Sequence, residues 1–140
     1  MSLTEVLISK TNLLKNLRAY RTLVKKPIMA VVKSEAYGHD LIQTARILQT
    51  ATDWFGVVSG AEALRLRNSG IRKPILVLSF YENSEIAELI RRRIALVVYE
   101  VEQARLISAA AKRLGRRARV HLKIDMGTSR LGVLPKAFGR

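Results

Sequence analysis

The 140-residue chain carries 25 Lys and Arg against 11 Asp and Glu, a formal net charge of +14, and 49% of its residues are hydrophobic, enough for a globular core and too many for disorder. It has no cysteine and two histidines, which excludes disulfide scaffolds, thiolate catalysis and cysteine-ligated zinc and argues against a histidine-rich metal site. No apolar run approaches the roughly 18–20 residues of a membrane span, and the polar start MSLTEVLISKTN lacks the apolar centre of a secretory signal, so a soluble cytoplasmic protein is expected.

The first helix is predicted over residues 11–24, with Leu13, Leu14, Leu17 and Leu23 near one face, Thr11 or Asn12 as N-cap, and Pro27 beyond its end. Short apolar runs then alternate with amphipathic stretches. A strand over 28–32 precedes a helix over 41–50, and a strand over 54–58 precedes a helix over 60–68. A strand over 75–78 precedes a helix over 84–93, a strand over 95–98 precedes a helix over 101–114, and a strand over 118–124 runs into a glycine-containing loop. Gly70 and Gly115 stand where helix C-caps belong, and Pro74 precedes its strand.

Repetition at a pitch of roughly 20–26 residues is the signature of parallel βα units. Two architectures fit: an open doubly wound sheet, or part of a closed eight-unit barrel. The first strand is followed by KSEAYGHD, with one glycine, and the chain has neither G-x-G-x-x-G nor G-x-x-x-x-G-K-[ST]. Its distinctive polar residues instead follow strand ends, Lys33 after the first and Asp125 to Arg130 after the fifth. In a barrel, that face carries active sites. The fold expected is therefore α/β, a partial TIM-type (β/α)8 barrel of about five βα units with parallel strands.

The charge invites a nucleic-acid reading. Its basic residues, however, sit in short groups, Arg65 and Arg67, Arg91 to Arg93, and Lys112 to Arg119, on or just after predicted helices, where cations suit the helix dipole. With no RNP-like aromatic pattern, zinc finger or convincing helix-turn-helix, nucleic acid is not the expected partner.

Three cations stand in awkward places. Lys33 closes the run Ile28-Met29-Ala30-Val31-Val32, where scarce solvent would favour the neutral amine that Schiff-base chemistry uses; a snorkelling strand-end lysine is the plainer alternative. In the fifth strand, period two sets Val120, Leu122 and Ile124 against Arg119, His121 and Lys123. If the first set packs under helices, Lys123 points into the interior and needs a carboxylate, deprotonation or a modification. Arg119 and His121 read as a polar plug. Arg130, in the loop Asp125-Met126-Gly127-Thr128-Ser129-Arg130-Leu131-Gly132, could hold a phenolate, phosphate or carboxylate oxygen at a strand mouth, or lie on a plain surface loop.

Together these segments resemble the alanine racemase family. AVVKSEAYGHD is similar to its A-V-V-K-x-x-A-Y-G-H-G signature, KIDMGTSRLGV to its K-x-D-T-G-M-x-R-L-G motif, and WFGVVSGAEALRLRNSGIRKPILVL to its second and third βα units. The resemblance implies pyridoxal 5'-phosphate as cofactor, an internal aldimine at Lys33 with that amine as one of two catalytic bases, and a hydrogen bond from Tyr37 to the cofactor phosphate. It implies Arg130 near the phenolic oxygen and on the substrate carboxylate, and a carbamylated Lys123 that orients the arginine. No metal is implied. The activity implied is interconversion of L- and D-alanine for the bacterial cell wall, by a cytoplasmic homodimer. Asp40 stands where the family usually has glycine, Ser34-Glu35 replaces the commoner Ala-Asn or Ala-Asp, and Met126 and Thr128 alter the D-T-G-M order.

Family members continue through eight barrel units into a C-terminal β-domain. Residues 1–140 are accordingly read as the truncated N-terminal portion of the cofactor-binding barrel. They are expected not to racemise alanine alone, because the tyrosine serving as second base and the arginine facing the pyridine nitrogen lie in the missing part. Unpaired outer strands would also make the fragment prone to associate. The rival readings are a non-racemising cofactor-binding barrel and a basic nucleic-acid-binding module.

Overall fold

The first helix begins one residue earlier than the periodicity suggests, because Ser9 rather than Thr11 or Asn12 supplies its cap: Ser9 Oγ accepts from the Asn12 N–H at 3.2 Å. The computed structural model describes residues 5–135, so the first four residues of the polar start lie outside it. Helix α1 spans Lys10–Val24 and ends at Lys25, whose φ of +51° turns its N–H back to Arg21 O. Arg21 then ties the helix to the sheet, donating to Ala51 O at 2.8 Å and to Asp53 Oδ2 at 2.7 Å. The same carboxylate oxygen accepts the Ile28 N–H at 2.8 Å, just ahead of the first strand.

Five strands follow, β1 (Met29–Val31), β2 (Trp54–Ser59), β3 (Ile75–Phe80), β4 (Ala95–Val98) and β5 (Val120–Leu122), all parallel and paired in sequence order. Segments α2 (Lys33–Gly38), α3 (Leu41–Leu48), α4 (Gly60–Asn68), α5 (Ile86–Arg91) and α6 (Val101–Arg113) connect them. Parallel crossovers share one hand, so strictly sequential order keeps every helix on one side of the sheet. A doubly wound sheet would reverse its order; this one is the opening arc of a (β/α)8 barrel.

Alternation along the strands sorts the two faces. Phe55, Val57, Ile75, Val77 and Leu96 are buried under Leu41, Leu66, Leu89 and Ile107 from the helices. Trp54, Gly56 and Val58 point to the concave side. A Cβ on Gly56 would lie 2.9 Å from Met29 Sδ and 3.0 Å from Leu78 Cδ1, so the missing side chain lets neighbouring strands' residues close over β2.

The ends of the pattern differ from the sequence reading. Helix α5 starts at Ile86 and stops at Arg91, since Arg93 takes φ +56° to turn into β4. Strand β5 is three residues long rather than the expected 118–124. Its outward row, Val120, Leu122 and Ile124, is 52%, 53% and 42% exposed, and not packed under helices as expected, because no described helix follows β5. Ile124 instead bridges Val133 across the loop. Among the described residues, no helix is long and apolar enough to cross a membrane.

Candidate functional site

Lys33 opens α2, and the residues after it take a backbone path that L-amino acids avoid. Ser34, Glu35, Ala36 and Tyr37 have φ of +52°, +54°, +52° and +57°, a left-handed turn costing about 1–2 kcal/mol per residue. Something must offset that cost. Within the turn, the Ala36 N–H donates to Val32 O at 2.9 Å, and the Ala36 side chain is buried. From outside, the Ser34 N–H donates to Glu62 Oε1 at 2.8 Å, while Arg65 pairs with Glu35 and the Leu41 N–H donates to Glu35 Oε2 at 3.3 Å. The Arg65 guanidinium holds the Glu35 carboxyl below its ordinary range.

The turn directs two sequence-predicted residues. Lys33 is half-buried, less enclosed than the apolar run before it suggested, and its Nζ lies 5.9 Å from the Tyr37 ring centroid. That is within reach of a cation–π contact. Tyr37 is 63% exposed. Asp40, standing where the resembling family usually has glycine, takes φ +65° and caps α3 by accepting the Gln43 N–H at 2.8 Å. Glycine adopts that backbone freely and aspartate is among the residues that tolerate it.

The loop after β5 brings the second pair. Lys123 is half-buried, pairs with no carboxylate among the described residues, and donates from Nζ to Leu78 O at 3.3 Å. Of the three ways to accommodate an inward lysine, a carboxylate partner is therefore not the one used among the described residues. Asp125, buried, gathers the loop: its Oδ1 accepts from the Gly127 N–H at 3.0 Å, the Thr128 N–H at 2.8 Å and Thr128 Oγ1 at 3.0 Å. The Gly127 N–H leads the interactions that hold the Asp125 carboxyl below its ordinary value. Thr128, a departure from the family order, thus has a local role, and Arg130 follows it, exposed.

Lys33, Lys123 and Arg130 line one cavity of 590 Å³ at the C-terminal ends of the strands, with Leu76, Leu78, Val97, His121 and Thr128 around them. Tyr37 stands beside Lys33 rather than on that lining. His121 packs edge-on against Trp54, ring centroids 5.7 Å apart, while Arg119 goes elsewhere. It joins Arg93, Arg116 and Arg117 around a depression of 660 Å³ at the opposite strand ends. That depression is larger, but offers guanidinium groups and no amine to condense with a carbonyl. Three cations over an apolar floor suit a flat anionic molecule, and the amine suits an aldehyde. Among the described residues, no cluster of three or more His, Asp or Glu could hold a metal ion.

Glu62, Glu35 and Asp125 were missed as organisers of the site. The run Ser59-Gly60-Ala61-Glu62 carries a signal for the first, since Ser-x-x-Glu at a helix start spells a capping box. Half of the box forms: Ser59 Oγ accepts the Glu62 N–H at 3.2 Å. The carboxylate turns instead to Ser34 and to the Val58 N–H, 2.8 Å from Oε2.

Residues 8–140 match the sequence family described as "Alanine racemase, N-terminal domain". The alanine racemase of Methanococcus maripaludis is 42% identical over 113 residues, covering 80% of this chain and 30% of that protein. Alanine racemase from Clostridium difficile 630 superposes with a TM-score of 0.85 at 37% identity, over 89% of this chain and 34% of that one. A histidine racemase from Leuconostoc mesenteroides superposes at 0.85 with 29% identity, over 91% of this chain and 35% of that one. The chain spans about a third of the length of these relatives.

Proposed function

The chain belongs to the alanine racemase N-terminal domain family, and from that premise we propose that residues 1–140 are the N-terminal portion of a pyridoxal-5'-phosphate-binding barrel domain of an amino-acid racemase. The observation that carries the reading is convergence: Lys33 and Arg130, far apart in sequence, meet with Lys123 on one cavity at the strand mouths. The donors there fit the cofactor's chemistry, a nucleophilic amine for its aldehyde and cations for its phenolic and phosphate oxygens. When bound, that cofactor supplies an electron sink for a carbanion at the amino acid's Cα.

In this reading the Lys33 Nζ would hold the cofactor covalently until the amino acid's own amine displaces it, and the freed Lys33 amine would then move a proton at Cα on one face of the bound amino acid. The Tyr37 hydroxyl holds the phosphate. Arg130 orients the phenolic oxygen and the substrate carboxylate. Lys123, which pairs with no carboxylate among the described residues, would react as its neutral amine with carbon dioxide to form a carbamate and release one proton, and the resulting anion would orient Arg130. The base for the other face belongs to the rest of the protein, a cytoplasmic homodimer that makes D-alanine for peptidoglycan. The solved histidine racemase shares this fold, so the fold leaves the substrate side chain open and alanine rests on the other relatives.

Adding pyridoxal phosphate to the chain should produce a visible absorbance band, and borohydride reduction followed by peptide mapping should place the label on Lys33. Lys33→Ala should abolish both. Label spread over surface lysines, or unchanged in Lys33→Ala, would overturn the reading. A D-amino-acid-oxidase-coupled assay on the longer protein then separates a racemase from a barrel that only carries the cofactor.

A further inference from the structure

The position of Lys33 depends on a turn that its own residues do not favour. Ser34 to Tyr37 include no glycine, yet all hold φ above +50°. Alone, such a segment would relax to right-handed backbone and swing the Lys33 and Tyr37 side chains away from their present directions. Apart from the Ala36 N–H to Val32 O bond and the burial of Ala36, the turn depends on the bonds that reach it from neighbouring elements.

One carboxylate makes the bond nearest the lysine. Glu62, in the first turn of α4, accepts the Ser34 N–H at 2.8 Å on Oε1 and the Val58 N–H at 2.8 Å on Oε2. Ser34 follows Lys33 directly, and Val58 lies near the end of β2, the strand paired with β1. Val58 and Lys33 also line the same cavity. With one oxygen on each amide, the carboxylate spans two adjacent βα units at the height where the lysine leaves its strand. Its helix is fixed in turn by Ser59, whose Oγ accepts the Glu62 N–H at 3.2 Å.

We propose that Glu62 is the positioning residue for Lys33, a carboxylate clamp that holds the left-handed turn against β2 and thereby aims the amine into the cavity. Both oxygens are needed. Glutamine at this position keeps the length but turns an NH2 toward one of the two donating amides, so one bond is replaced by a donor–donor clash. The proposal rests, for what Lys33 holds, on the cofactor reading above.

The test uses the whole chain in three forms: parent, Glu62→Gln and Ser59→Ala. Amide exchange measured by NMR without cofactor should show the Ser34 and Val58 amides several-fold faster in Glu62→Gln, while the amides of β3 and β4 are unchanged. Equal rates at Ser34 would overturn the clamp. With pyridoxal phosphate and borohydride, Glu62→Gln should need about tenfold more cofactor to label Lys33 to the parent level, as losing a bond to a charged acceptor suggests. Ser59→Ala removes the helix cap and keeps the carboxylate, so it should lower the melting temperature and leave labelling near parent. If Ser59→Ala lost labelling in step with its stability, as Glu62→Gln does, the effect would be general and the proposal would fall. A parent chain that takes no label at Lys33 would sink the cofactor reading, with exchange at Ser34 still deciding the clamp.

Discussion

The turn after β1 and the loop after β5 face the same cavity, yet they are fastened in opposite ways. The first is held from outside, by Glu62 and Arg65 of α4 acting on Ser34 and Glu35. The second is held from within, by Asp125 on Gly127 and Thr128, with the Asp125 N–H donating to Val133 O at 3.0 Å and the Val133 N–H to Lys123 O at 2.9 Å. Strand coverage explains the difference. β1 and β2 are followed by described helices that can reach across to a neighbour, whereas β5 has none, so its loop must close on itself. A site shared by two such segments should fail in two independent ways.

Gly132→Ala should have the largest effect. Gly132 has φ +139°, and an added Cβ would lie 2.5 Å from the Asp125 N and 2.9 Å from the Ile124 carbonyl carbon. Those are backbone atoms that cannot swing aside. Strain of about 1–3 kcal/mol is expected, enough to open the loop while the β1 turn keeps its amide protection. Loss of protection at Ser34 as well would show that the two segments are not independent.

Asp125→Ala should do less, because it removes one acceptor and leaves the backbone path allowed. The Gly127 and Thr128 amides should exchange several-fold faster, and Ser34 should not change. Protonation is a gentler version of the same experiment, and it touches both segments. The Gly127 N–H and its neighbours hold Asp125 below its ordinary 3.8, and Arg65 holds Glu35 below its ordinary 4.5. Carboxylates depressed in the folded state contribute stability that is complete above those ordinary values and is lost as pH falls through the folded ones. Amide exchange, corrected for its intrinsic pH dependence, should therefore stay flat from pH 7 to about 5 and rise below about 4 at Gly127 and Thr128, with a much smaller rise in the β1 turn, where the Glu35–Arg65 pair is exposed and screened. A rise beginning near pH 6 would point to a different group.

Much of the framework was legible because it is periodic. Apolar runs of the β2 and β3 kind, buried on the helix side and half-covered on the other, announce strands whatever surrounds them. Lys33 and Lys123 stood out because cations in or beside such runs are costly unless they have a task, and Arg130 because it stands in a glycine-containing loop at a strand mouth. The left-handed turn was not legible: nothing in Ser34-Glu35-Ala36-Tyr37 asks for positive φ, and the bonds that hold it come in part from another βα unit. Nor was the end of β5, since Val120, Leu122 and Ile124 read as a buried row and lie half-exposed. Alternation says which residues share a face, while coverage of that face is decided elsewhere in the chain.

Arg65→Ala should have the smallest effect, and it is the sharpest probe of how the β1 turn is held. Arg65 and Glu35 form an ion pair with both side chains half-exposed, and exposed pairs gain little because water and salt screen them. Glu62, by contrast, ties two backbone amides to one carboxylate, the exposed Ser34 N–H and the part-buried Val58 N–H, and a bond to an ionised acceptor at a part-buried amide is worth more than an exposed ion pair. If the clamp dominates, Arg65→Ala should leave the melting temperature, Ser34 exchange and Lys33 labelling near parent values, and raising the salt should mimic it. Should Arg65→Ala free the Ser34 amide as fully as Glu62→Gln, the turn would be held by charge at its surface, and its hold would weaken with ionic strength.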